Sequence, residues 1–107
     1  MWKVCSEPFR NVAKIFPTQQ RDVYTLIKSY TKEPAVRRII IFGSSITAAC
    51  NPWSDIDVYV ELDVEKNLPA SGVTDVPVDL WTNYSVDKHL YSEIKKGVTV
   101  FERDTTR

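Results

Sequence analysis

Histidine, methionine, cysteine and glycine are all scarce in this chain of 107 residues, at one, one, two and three copies. A single histidine, His89, leaves no imidazole pair for a metal site, and it flanks a helical apolar stripe as a surface or boundary residue. Cys5 and Cys50 are too few for a disulfide framework or a four-thiolate metal site, so reduced thiols in a cytoplasmic protein are expected. Long apolar runs are missing too. No stretch reaches the length of a membrane span, and Lys3, Glu7, Arg10 and Lys14 occupy the region where a secretory signal would be apolar. The formal net charge is zero, which argues against strong autonomous nucleic-acid binding by bulk electrostatics. Repeats and low-complexity segments are absent.

What remains is the composition of an ordinary globular domain, 43% apolar and 26% charged, with length for one core and not two. The charge is unevenly distributed. Asp55, Asp57, Glu61, Asp63, Glu65, Asp75 and Asp79 face a single base, Lys66, in the stretch 55–79, for a net −6 that leaves +6 elsewhere. Such a patch repels a polyphosphate unless divalent cations intervene. The loop acids from Asp63 to Asp75 read as solvated; Asp55, Asp57 and Asp79 have strand-like neighbours.

Residues 1–16 fit no period and are expected to be a partly irregular arm, with a short helix, that packs apolar side chains onto the core. A helix opens at Pro17 or Thr18, carries Val23, Leu26, Ile27 and Tyr30 on one face, and stops near Thr31 to Pro34. Gln19, Gln20, Arg21, Thr25, Lys28 and Ser29 cover most of its other side. Val36 to Phe42 is a first strand and Asp55 to Leu62 a second. A connector holding Pro69, Ser71 and Gly72 leads to a third strand, Val76 to Trp81, where Pro77 implies an edge or the start of the strand. Ser85 is expected to cap a helix to Lys96, with Asp87 in its first turn and Gly97 as a left-handed terminator. Val98 to Phe101 is a last strand.

The chain is organised around Ile39 to Ser44 and the return at Asp55. A buried apolar strand stops at Gly43-Ser44, where glycine permits a tight turn and close approach to a ligand. Ser44 and Ser45 are N-cap residues for a short helical piece to Ala49, so amides and a hydroxyl would face a phosphate. The second strand alternates strictly. Asp55, Asp57, Tyr59 and Glu61 share one face, while Ile56, Val58, Val60 and Leu62 share the other. Asp55 and Asp57 therefore stand about 7 Å apart at Cα and can aim at the same ions. Asp79 alternates in the same way on a strand expected to neighbour them. Trp53, just before the acids, reads as packing rather than base stacking.

Gly43-Ser44, ten residues, then Asp55-x-Asp57 resembles the signature of the DNA polymerase β-like nucleotidyltransferase superfamily, and the short chain resembles its minimal nucleotidyltransferase branch. The pattern covers residues 36–102. The resemblance implies an α/β (α+β) fold: a small mixed β-sheet of three to four strands, helices packed mainly on one side, in a single domain over 1–107. It implies Mg2+, as a two-ion site on Asp55, Asp57 and Asp79, with ATP or another nucleoside triphosphate as substrate and Gly43, Ser44 and Ser45 holding its phosphates. The activity implied is transfer of a nucleoside monophosphate, AMP in the simplest case, to a hydroxyl. The third acid would bind the second ion or take the proton. Minimal members of this kind often pair with a HEPN-like toxin, as the antitoxin of a toxin–antitoxin system, so a protein partner is expected and a homo-oligomer is compatible with the sequence. Many members carry an arginine and a glycine after the Gly-Ser; here the segment reads Ser45-Ile46-Thr47-Ala48-Ala49-Cys50, leaving Lys66, Arg37 or Lys88 as replacement cations. That departure motivates the alternative of an inactive nucleotidyltransferase-fold module that neutralises a partner by contact.

Overall fold

The computed structural model describes residues 9–47, 55–69 and 72–103. Cys5, Cys50 and Trp53, and the end of the short helix expected to Ala49, lie outside the described residues. Two 3-10 turns, Val12–Lys14 and Pro17–Gln19, lead into α1, Gln20–Tyr30. Three strands, β1 Val36–Phe42, β2 Ile56–Leu62 and β3 Val78–Thr82, then precede α2, Lys88–Lys95, and β4, Val98–Glu102, follows it. The strand order is β3-β2-β1-β4. β1 is antiparallel to both β2 and β4, whereas β2 and β3 are parallel, so the sheet is mixed as expected.

Period-two alternation decides the two faces. Ile39 and Ile41 of β1, Ile56, Val58 and Val60 of β2 and Val100 of β4 pack into one cluster with Val23, Leu26, Ile27 and Tyr30 of α1. Burying each such aliphatic side chain contributes roughly 1.5–3 kcal/mol before chain entropy is counted. Tyr30 is fully buried among them and donates its hydroxyl to the Pro69 carbonyl at 2.7 Å, tying the connector to the core. Burial pushes its pKa up to about 12.

The opposite face carries α2. Ile94, with Leu90 and Val86, packs on Phe42, Tyr59, Ile40 and Trp81. The helices thus divide between the faces: α1 covers the larger apolar surface and α2 the smaller. Three local expectations are corrected. Asp87, not Ser85, caps α2, accepting the Leu90 amide at 2.9 Å; Ser85 instead accepts the Thr82 amide at 2.9 Å in the turn before it. Gly97 is not left-handed, since among the described residues only Asn11, Gly43 and Gly72 have positive φ. It is required by space: a Cβ there would lie 2.6 Å from Ile40 Cγ2 and 2.8 Å from the Ile41 carbonyl. Gln19 and Gln20 are buried rather than solvent-facing, because the N-terminal segment folds over them; the Gln20 amide donates to the Ile15 carbonyl at 2.9 Å.

Candidate active site at the ends of β1 and β2

The site begins with the ladder. Phe42 pairs with Asp57 across β1 and β2, and Asp57 pairs with Asp79 across β2 and β3. Adjacent strands and matched parity place Asp57 and Asp79 side by side on one face, roughly 5 Å between strands. Their carboxyl groups share a hydrogen bond. Asp57 is half-buried and Asp79 exposed. Burial, then the Asp79 charge and its hydrogen bond, then Asp55, push the Asp57 carboxyl up to about 6. Burial and the neighbouring like charges both disfavour the ionised form of Asp57.

Gly43 closes the site from the β1 side. Its φ of +77° lies in the left-handed region, and a Cβ there would collide with Asp57 Oδ2. Both backbone and packing therefore require glycine at this position. The Gly-Ser turn and the acid touch each other directly, which ties together the two halves of the sequence signature.

Gly43–Ile46 forms a 3-10 turn, with Phe42 in the N-cap position and no side-chain cap. The expectation that Ser44 and Ser45 cap a helix through their hydroxyls is corrected, since the turn is too short and tight to present them that way. Ser44 is partly exposed beside Gly43, and its carbonyl accepts the Thr47 amide at 3.0 Å. Ser45 is buried. Its hydroxyl donates to Gln19 Oε1, and its carbonyl accepts the Phe16 amide at 2.8 Å. The phosphate role expected of the Ser45 hydroxyl therefore does not match its position; that hydroxyl anchors the turn to the N-terminal segment.

Asp55 is exposed and immediately precedes β2, so the ladder does not position it as it does Asp57. Among the described residues, no three His, Cys, Asp or Glu side chains already converge into a cation cluster. The structure brings together Asp57, Asp79 and Gly43, with Asp55 exposed just before β2 and near enough for its charge to act on Asp57. Arg37 is excluded as a phosphate cation: it lies at the opposite end of β1 and binds Asp63 at 2.8 Å. Lys66 lines a small cleft with Leu80, Thr82 and Tyr84, past the far end of β2.

Gln19, expected on the polar side of the helix with no part in the site, supports the turn from behind through its link to Ser45. A buried glutamine at the mouth of an amphipathic helix carries no distinctive local signal. An open cleft of about 540 Å³ lined by Arg21, Tyr24, Lys28 and Lys32 sits along α1. It is built on the helix that covers the other sheet face, so it is separate from the acids.

The chemistry of the donor set fits a divalent cation. Hard carboxylate oxygens suit magnesium, and a cation between Asp57 and Asp79 would offset the repulsion of the two neighbouring acids. None of the curated proteins compared matches the chain. The family model described as Nucleotidyltransferase domain matches residues 25–101, which contain Gly43, Asp57 and Asp79, and the chain belongs to that family.

Proposed function

We propose that this protein transfers a nucleoside monophosphate, AMP from ATP in the simplest case, to a hydroxyl presented by a partner macromolecule. The observation that supports the reading is the Asp57–Asp79 carboxyl pair seated against the Gly43 turn. Asp55, Asp57 and Asp79 would hold magnesium, and bound magnesium would polarise the phosphoryl oxygens and neutralise charge on the leaving pyrophosphate. The chain's own part is positioning. The Gly43-Ser44 turn admits phosphate close to the main chain, and Asp79, exposed on the outermost strand, faces the side from which an acceptor can approach. A HEPN-like toxin in a cytoplasmic toxin–antitoxin pair is the partner we propose.

Incubation with α-labelled ATP, magnesium and the candidate partner tests this. Label should pass to the partner with the wild-type protein and be lost in Asp57→Ala and Asp79→Ala. A second reading, a contact-only module, is favoured by the segment Ser45 to Cys50, which carries no arginine after the Gly-Ser. Under it, Asp57→Ala neutralises the partner as well as wild type does, and no label transfers.

A further inference from the structure

We propose that the open edge of β3 is the acceptor-docking strand, and that it receives an extended polypeptide segment whose hydroxyl residue sits in register beside Asp79. This deepens the transfer reading above and rests on it for the chemistry, though not for the docking.

The Ile56 amide donates to the Pro77 carbonyl at 3.0 Å, and Ile56 pairs with Val78 in parallel. In a parallel ladder this assigns the main-chain groups of Pro77, Asp79 and Trp81 to β2, and those of Val78, Leu80 and Thr82 to the outside. Thr82 is engaged. Its amide donates to Ser85 Oγ at 2.9 Å, and its carbonyl accepts the Ser85 and Val86 amides at 3.0 Å. Val78 and Leu80 have no main-chain partner on that side among the described residues. The open window is therefore one ladder repeat wide, bounded by Pro77 and the Ser85 turn, and centred on Asp79.

An added strand satisfies those outward groups, which the phosphates and sugars of a nucleic acid cannot do in alternation. It also extends the row Phe42, Asp57, Asp79 by one position. The residue there points its side chain to the acidic face, roughly 5 Å from Asp79 at Cβ. Its two neighbours point to the other face, beside the half-buried Val78 and Leu80. The segment that fits is apolar–hydroxyl–apolar. A second copy of β3 fits poorly, because antiparallel pairing centred on this window sets Asp79 against Asp79, and like charges directly opposite are unfavourable. In the transfer, the acceptor oxygen forms a bond to the α-phosphorus of the nucleoside triphosphate. The bond from that phosphorus to the pyrophosphate oxygen breaks, pyrophosphate leaves, and the hydroxyl proton passes to a carboxylate of the pair.

The test uses the full chain and nine-residue peptides centred on Val-Tyr-Val, Val-Ser-Val or Val-Thr-Val, with Val-Ala-Val as control. Leu80→Pro and, separately, Val78→Pro remove one outward amide without touching the β2 ladder. With labelled ATP and magnesium, at least one hydroxyl peptide should be labelled by wild type and at least tenfold less by either variant, with ATP binding within twofold of wild type. Independently, amide exchange at Val78 and Leu80 in the wild-type protein should slow at least tenfold on adding that peptide. This readout needs neither turnover nor a folded variant. Undiminished labelling in the folded variants overturns the proposal. So does unchanged exchange at both amides with every peptide, protection that appears only on self-association, or labelling of RNA ends in place of peptides. If ATP with magnesium does not bind, the transfer reading fails, while the exchange measurement still decides the docking.

Discussion

The two faces of the sheet are built for different ends. On the α1 face, Ile39, Ile41, Ile56, Val58 and Val60 are fully buried against Val23 and Leu26. On the α2 face the buried cluster among the described residues is Phe42, Tyr59 and Ile94, and Phe42 stands in the same cross-strand row as Asp57 and Asp79. One face supplies cohesion. The other holds two like charges against each other, an arrangement that costs stability and persists only because the first face over-determines the strands. The acid pair is positioned by packing that it does not itself contribute to.

Weakening the α1 face should have the largest effect on the fold. Leu26→Ala should cost about 2–5 kcal/mol in denaturant unfolding, through lost transfer energy and the cavity left behind. Tyr91→Ala on the exposed surface of α2 should stay within about 0.5 kcal/mol of wild type. Gly43→Ala should cost about 1–3 kcal/mol, since it strains a φ of +77° and drives a methyl into the Asp57 carboxyl. It should also reduce label transfer more than Leu26→Ala does at a temperature where both are folded. Tyr30→Phe should cost about 1 kcal/mol by removing the bond to Pro69, measured by thermal melting.

The pH dependence gives a comparison of opposite sign. Asp57 has a folded pKa of about 6 against 3.8 unfolded, so between those values the folded state binds more protons. Stability should therefore fall as pH rises from about 4 to 6 and level off above. With half of the group exposed, screening reduces the effect to on the order of 1 kcal/mol. Asp57→Asn should flatten that slope and, above pH 6, melt higher than wild type while losing label transfer. A variant that loses both stability and transfer would mean the carboxyl pair is not under repulsion.

Much of this was legible because alternation is a local property. The parity of Asp55, Asp57, Tyr59 and Glu61, the bounds of Val36–Phe42, and Pro77 at the start of an edge strand all follow from side chains two positions apart. The cap of α2 was not, because Ser85 and Asp87 are both good caps and the choice fell to the turn that engaged Ser85 with Thr82. Nor was the burial of Gln19 and Gln20, which depends on a segment folding back from outside the helix.

By itself the sequence determined the strand and helix periods, the shared face of the acids and the glycine-serine stop, since each depends on backbone geometry within a few residues. Only the tertiary structure decided that Asp57 meets Asp79 and Gly43, that Ser45 turns inward, and that α2 takes the face opposite α1. Those outcomes depend on strand order, register and which elements compete for the same surface, and such distances close only when the whole chain is packed.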